Sequence, residues 1–177
     1  MTSAAMILLA ITATATSTAQ PDPGETTLRV PWIEPSGQSI AISYDNGSWG
    51  GNWTQSLRLF VPFGDHFGAL ARGLVMFGSG QAFADRIDLG GRIELIGRSP
   101  VLLNLVRLYG GGGISFMSPV HGVTNRELTV GGGGQFGFEF FLTPHIGWTL
   151  EVGGNSGSQD GFGSGATILA GISIYPF

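Results

Sequence analysis

The sequence predicts an all-β fold, a closed antiparallel up-and-down transmembrane β-barrel of about eight strands. From residue 37 onward, apolar and polar residues alternate with a period of two, as in strands with two different faces. Charged residues are only 11% of the chain, whereas hydrophobic residues are 42%. No segment has about 18 or more consecutive apolar residues, which a membrane-spanning helix would need. A membrane location therefore requires a closed barrel, in which all backbone polar groups are paired.

The first 36 residues are predicted to lie outside the barrel. Ala4–Ala15 is a short apolar stretch, and Ser17 and Ala19 place small side chains at the positions that signal peptidase inspects. Residues 1–19 are therefore predicted to be a signal peptide, although no basic residue precedes the apolar stretch. Residues 20–36 contain four prolines and are predicted to be an extended periplasmic linker. The barrel domain is then 37–177.

Eight segments show the alternation of a strand. They are 37–46, 54–63, 67–77, 85–96, 101–116, 126–142, 146–154 and 164–177. In the fourth segment, for example, Ile87, Leu89 and Ile93 alternate with Asp88 and Arg92. These lengths suit tilted membrane-spanning strands, which need about 9–11 residues.

The predicted connections alternate between short and long. Residues 64–66, 97–100 and 143–145 are predicted to be tight turns, whereas 45–52, 78–84, 117–125 and 155–163 are longer and rich in Gly, Ser, Asn or Asp. This pattern predicts one rim with short turns and one with long loops, and the even strand number places both termini at the rim with short turns.

Aromatic residues gather near the strand ends and predict two girdles at the membrane interfaces. Near the short turns are Phe63, Phe67, Phe140, Trp148, Tyr175 and Phe177, and near the long loops are Tyr44, Trp49, Trp53, Phe77 and Phe116.

Together these features resemble the small eight-stranded bacterial outer-membrane β-barrel proteins, over residues 37–177. The resemblance also includes the turn Phe-Phe-Leu-Thr-Pro-His at 140–145 and the end Gly-Ile-Ser-Ile-Tyr-Pro-Phe at 171–177. Tyr175 and Phe177 are similar to the C-terminal signal read by the barrel-assembly machinery, but Ser173 and Pro176 depart from its commonest pattern. A bulge near Pro176 is predicted, because isoleucines at 172 and 174 compete with the two aromatics for the lipid face. The resemblance implies a Gram-negative outer membrane as the location, with outer-membrane lipid and that machinery as partners.

Each strand has one face that is less apolar than the other, and the charged residues within the strands lie on that face. They predict a charge network in the lumen. Its members are Arg58, Arg72, Asp88, Arg92, Glu94, Arg107, Glu139 and Glu151. An arginine facing lipid at the midplane would cost about 2–4 kcal/mol, which favours the inward assignment. The network is either a charged constriction or a structural filling, because an eight-stranded barrel is just wide enough for its own side chains.

Counting residues outward from the predicted turns predicts which of these residues lie opposite each other on neighbouring strands. A hairpin centred on Gly122 pairs the glycine runs 110–113 and 131–134 and places Arg107 opposite Gly137. Arg107 could then reach over Gly137 to Glu151. Arg58 is predicted opposite Arg72, a repulsive pair that needs a carboxylate such as Glu94 nearby.

No catalytic, metal or cofactor site is predicted. The chain has no cysteine, its three histidines lie in separate predicted connections, and no basic patch suggests nucleic acid. Neither glycine run leads into the Gly-Lys-Ser/Thr of a phosphate loop. The last four strands loosely resemble the outer-membrane lipid A deacylases, in which a histidine and a serine stand two residues apart near the outer end of the seventh strand. Here that stretch, residues 152–156, reads Val-Gly-Gly-Asn-Ser and has no histidine to activate Ser156.

Three functions follow from these observations. The first is a non-enzymatic outer-membrane barrel with a structural or surface-interaction role through its loops. The alternatives are a narrow pore or lipophile conduit through the lumen, and a deacylase-like hydrolase. The sequence does not indicate the oligomeric state.

Overall fold

The computed structural model describes residues 39–78, 87–121, 128–157 and 164–176. Within these ranges the chain forms no helix that is long and apolar enough to cross a bilayer. The predicted signal peptide and linker, the central parts of three predicted loops, and Phe177 lie outside the described residues.

Eight antiparallel strands form a closed barrel in sequence order, with β1 hydrogen-bonded to β8. The strands are β1 (Ala41–Trp49), β2 (Asn52–Pro62), β3 (Phe67–Phe77), β4 (Ile87–Arg98), β5 (Val106–His121), β6 (Thr129–Thr143), β7 (Ile146–Gly157) and β8 (Gly165–Ile174). The predicted fold class and strand number are confirmed. We call the end with connections 63–66, 99–105 and 144–145 the turn rim, and the opposite end the loop rim.

The connection between β1 and β2 is a tight turn, so the predicted loop at 45–52 is wrong. Only Gly50 and Gly51 separate the two strands, and their φ values are 57° and 83°. A two-residue hairpin of this kind needs positive φ at both positions, which glycine allows. The stretch from Asp45 to Ser48 lacks outward apolar residues and so does not show the alternation of a strand, although Asp45 is inward and buried like Ser43.

The connection between β4 and β5 is longer than the predicted tight turn at 97–100. β4 continues to Arg98, and β5 starts at Val106 instead of residue 101. The intervening residues form a small hairpin of their own, because Leu102 pairs with Val106 around Leu103 and Asn104. The apolar stretch that begins at residue 101 is compatible with either this local hairpin or the start of a strand, so the sequence alone does not distinguish the two.

The two faces of the sheet differ sharply in chemistry. Side chains that point outward are mostly large and apolar, including Leu57, Ile93, Leu95 and Ile114, each of which is more than 60% exposed. Side chains that point inward are buried and include charged, polar and aromatic residues together with a smaller number of aliphatic ones. This division follows the period-two alternation of the sequence.

Two aromatics of the predicted girdles lie inside the barrel instead. Trp49 is fully buried, and Tyr175 is 3% exposed. Both have the inward parity of their strands, since Tyr44 on β1 and the isoleucines at 172 and 174 occupy the outward, exposed positions. Tyr175 simply continues the alternation of β8, and the bulge predicted near Pro176 is not needed to place it.

Apolar side chains form a layer near each end of the lumen. The layer toward the turn rim contains Ala41, Phe60, Leu70, Ile96, Tyr109, Phe141 and Tyr175, and the layer toward the loop rim contains Trp49, Leu74, Met76 and Met117. On β3, Arg72 lies between Leu70 of one layer and Leu74 of the other, and Arg58 is opposite Arg72 on β2, so charged groups occupy the middle of the lumen.

Candidate functional site

The candidate site is the charged interior of the barrel. The eight side chains that the sequence assigns to the lumen are all inward and no more than 4% exposed: Arg58, Arg72, Asp88, Arg92, Glu94, Arg107, Glu139 and Glu151. Asp45 and Arg98 are buried with them. Among the described residues, the interior therefore holds five arginines and five carboxylates, and these formal charges balance.

Glu151 is the centre of this network. Its carboxylate accepts hydrogen bonds from Arg58 Nη1 at 3.0 Å and from Arg72 Nη2 at 2.8 Å. β7 and β3 are four strands apart in the ring of eight, so the Glu151–Arg72 pair crosses the full width of the lumen. Buried charges require such partners, because removal from water is costly for each unpaired ion.

Three arginines face one another on adjacent strands. Arg58 is opposite Arg72, as the sequence predicts, and Arg72 is also opposite Arg92. Like charges in directly opposed positions repel. The carboxylate that compensates the first pair is Glu151, whereas Glu94 pairs with Arg92 at 2.8 Å.

Asp45 is a member of the network that the sequence reasoning missed. Its Oδ1 accepts a hydrogen bond from Arg58 Nη2 at 3.0 Å, and Thr149 Oγ1 lies 3.3 Å from the same oxygen. Asp45 falls at the overlap of the predicted first strand, 37–46, and the predicted loop, 45–52, and was not among the predicted lumen residues. Residues two apart on a strand share a face, so the inward position of Ser43 predicts that Asp45 also points inward.

The predicted contact between Arg107 and Glu151 is wrong, because the pairing of β5 with β6 is displaced by two residues. Arg107 lies opposite Glu139, with 3.9 Å between Nη1 and Oε2, and Tyr109 lies opposite Gly137. Tyr109, not Arg107, passes over Gly137: a Cβ atom there would be 2.6 Å from Tyr109 Cζ. The Tyr109 hydroxyl then lies 3.4 Å from Glu151 Oε2 and accepts a hydrogen bond from Arg58 at 3.1 Å.

A second polar cluster lies toward the turn rim and includes Tyr175. The Tyr175 hydroxyl donates to Glu139 Oε2 at 2.6 Å, and its backbone N–H donates to the His145 carbonyl at 2.8 Å. Burial raises the pKa of the Tyr175 phenol well above its ordinary value, and the Glu139 carboxylate raises it further. The phenol therefore keeps its proton and acts as a donor. Tyr175 thus has an interior structural contact in addition to any part in an assembly signal.

Arginine side chains also stack on aromatic rings at both ends of the lumen. The guanidinium carbon of Arg98 is 3.8 Å from the centroid of Phe60, and that of Arg92 is 5.5 Å from the centroid of Trp49. Such contacts stabilise a desolvated cation without requiring a carboxylate. They connect the apolar layers to the charged groups between them.

A small cavity lies within the layer near the turn rim. Its volume is about 30 Å³, and its lining includes Arg98, Tyr109, Glu139 and Tyr175. A cavity needs roughly 10–15 Å³ of this measure to hold one water molecule, so it has room for about two. Glu139 Oε1 is buried without a hydrogen-bond partner from the protein, which makes it a suitable acceptor for such a water.

The structure does not assemble a hydrolase site from the residues it describes. The Ser156 hydroxyl donates to the Gly132 carbonyl at 3.2 Å, near the loop rim. His66 and His145 lie in connections at the turn rim, and the side chain of His121 is outside the described residues. No group of three potential metal ligands occurs in the described part of the chain.

The glycine runs serve close packing of the backbone. Only Gly112 with Gly134 and Gly113 with Gly133 pair, because of the same two-residue displacement. A Cβ atom at Gly113 would collide with the carbonyl oxygen of Ile93 on β4. Strands that approach this closely permit a tightly coiled wall, which larger residues would prevent.

No protein-family model and no curated protein matches this sequence. Among solved structures, Neisserial surface protein A matches with a TM-score of 0.52 and 10% identity, over 77% of this chain and 94% of that one. Ail, the attachment invasion locus protein of Yersinia pestis, matches with a TM-score of 0.44 and 14% identity, over 77% and 95% of the two chains. The lipid A deacylase resemblance is not shown by these comparisons. At such low identity, the match to the neisserial protein shows the fold, and this chain has the fold of the small outer-membrane β-barrels.

Proposed function

We propose that the protein is a bacterial outer-membrane β-barrel without enzymatic activity, with a structural or surface-interaction role carried by its loop rim. The observation that carries this proposal is the filled lumen. Balanced ion pairs occupy the middle, and apolar layers that include Trp49 and Tyr175 lie on either side. An interior occupied by its own side chains leaves the loops and the outer face as the surfaces available for partners.

The outer face supports a location in lipid. Leu95, Ile114 and Leu57 are 68%, 63% and 61% exposed, and similar side chains cover neighbouring strands. Every arginine among the described residues is buried. A protein surrounded by water does not normally expose a continuous apolar surface of this extent, whereas lipid tails favour it.

The pore is the second candidate, and conductance in a planar bilayer separates it from a filled barrel. We expect the purified, refolded protein to show no steady conductance. The Trp49→Ala and Trp53→Ala variants form a matched pair, because Trp49 is in the lumen and Trp53 is 41% exposed on the outer face. Steady conductance of the natural chain, increased by Trp49→Ala and unchanged by Trp53→Ala, would refute the filled barrel and support a pore.

The orientation can be tested with single cysteines, since the natural chain has none. A membrane-impermeant maleimide should label Asn125→Cys, in the predicted loop 117–125, on intact cells. It should label Asp65→Cys, in a turn at the turn rim, only after the outer membrane is opened. Heat-dependent mobility on SDS-PAGE should verify that each variant is folded. The reverse labelling pattern would contradict a role for the loop rim at the cell surface.

A further inference from the structure

The connection between β4 and β5 is an apolar turn with no part in the proposed function. Residues 99–105 read Ser-Pro-Val-Leu-Leu-Asn-Leu and carry no charge. Leu103 is 93% exposed, and Leu102 and Leu105 are 47% and 44% exposed. The neighbouring connection at the same rim, residues 63–66, contains the exposed Asp65. This turn is therefore distinctive in presenting three leucines together.

The backbone conformation at the tip of this turn is unfavourable for leucine, the residue at position 103. Leu103 and Asn104 have φ values of 53° and 54°, in the left-handed region. Asparagine and glycine adopt this region readily, but in other residues the Cβ atom crowds the following carbonyl oxygen. Leucine at 103 therefore weakens the turn in which it lies. Its exposed side chain also contributes no packing in return.

The turn is nevertheless held in place by hydrogen bonds. Leu102 N–H donates to the Val106 carbonyl at 2.7 Å, and Val106 N–H donates back at 3.0 Å. The Leu105 carbonyl accepts from Phe141 N–H at 2.8 Å, and Val101 packs against the apolar layer of the lumen. The leucines are thus presented on a preorganised support that is fixed to the base of the barrel.

We propose that this leucine turn, residues 102–105, inserts into the lipid leaflet at the turn rim and anchors the barrel there. The inference rests on the proposed membrane location. Its support is continuity with the lipid-facing surface: Phe67 and Leu142 are 61% and 59% exposed beside the same rim. An uncharged turn pays no electrostatic cost for entering the region between headgroups and acyl chains, and burial of its leucines is favourable.

Nitroxide accessibility can locate this turn relative to the membrane. Leu103→Cys, Ile93→Cys and Asp65→Cys are spin-labelled separately and reconstituted in phosphatidylcholine–phosphatidylglycerol nanodiscs. Molecular oxygen concentrates in lipid, whereas a water-soluble nickel chelate remains in the aqueous phase. Ile93 lies on the outward face of β4 and is the lipid control, and Asp65 is the aqueous control at the same rim. We expect the ratio of oxygen to nickel collisions at 103 to be closer to that at 93 than to that at 65.

Two results would overturn the inference. A ratio at 103 that matches Asp65 would place the turn in water. Low collision rates with both reagents would indicate that protein covers it, either the preceding segment of this chain or a second copy. If the label at Ile93 itself were accessible to nickel, the proposed membrane location would fail first, so the two failures are distinguishable. Heat-dependent mobility of each labelled variant verifies folding.

Discussion

Removal of the Glu151 charge should be among the most damaging single changes in the barrel. Glu151→Gln preserves the shape of the side chain but deprives Arg58 and Arg72 of their shared carboxylate. Arg58 retains Asp45 at 3.0 Å. Arg72 has no other carboxylate within ion-pair distance among the described residues, and it faces Arg92 directly.

The expected magnitude follows from that difference. Breaking a buried ion pair by removal of one partner costs about 3–5 kcal/mol. Because the amide oxygen of glutamine can still accept a hydrogen bond, we expect the lower end, about 3 kcal/mol. With a urea dependence of about 1–3 kcal/mol per molar, the unfolding midpoint should fall by about 1–3 M.

The assay is reversible urea unfolding in lipid vesicles, followed by tryptophan fluorescence. Asp65→Asn is the matched control, because it removes one carboxylate charge from an exposed turn. The double variant Glu151→Gln with Arg72→Met should be more stable than Glu151→Gln alone, since it removes the unpaired cation as well. If Glu151→Gln lowered stability no more than Asp65→Asn, the network would not hold the barrel together as described.

Three further predictions use the same unfolding assay. Trp49→Ala removes the largest side chain of the layer near the loop rim and should cost about 3–5 kcal/mol, whereas a loss below about 1 kcal/mol would mean that the lumen refills easily. The free energy of unfolding should fall as pH rises above about 10, because the tyrosine phenols of the unfolded state then lose protons that buried Tyr175 retains in the folded state. Tyr175→Phe should make this fall shallower, and an unchanged slope would contradict a raised pKa of Tyr175. Gly137→Ala should destabilise the barrel because its Cβ would meet Tyr109, whereas Gly73→Ala, with no atom within 4 Å of its Cβ, should be close to neutral; equal effects would refute the close contact.

The alternation of the sequence was sufficient to predict which faces are apolar, but residue type misled where it was preferred over parity. Trp49 and Tyr175 were assigned to interfacial girdles because tryptophan and tyrosine are common there. Their parity relative to Tyr44 and Ile174 points inward, and the structure follows parity. A narrow lumen accepts large aromatics as readily as the membrane interface does, because both environments combine apolar and polar groups.

The register of neighbouring strands, that is, which residues lie opposite each other, was predictable only where a tight turn joins the two strands. Arg58 opposite Arg72 follows from the short turn between β2 and β3. The pairing of β5 with β6 depends on the middle of a longer connection, where no residue in the sequence marks the centre. The predicted partner of Arg107, Gly137, is consequently two positions away from its actual partner, Glu139.

The contact from Glu151 to Arg72 has a consequence for how this barrel forms. Its two residues belong to strands on opposite sides of the ring, so no hairpin or partial sheet can satisfy them. An open sheet would leave Arg72 without this carboxylate, whereas the pairs Arg58–Asp45, Arg92–Glu94 and Arg107–Glu139 join residues of one strand or of neighbouring strands. The curvature that brings the third and seventh strands face to face, and that joins the first strand to the eighth, therefore also supplies the counterion of Arg72.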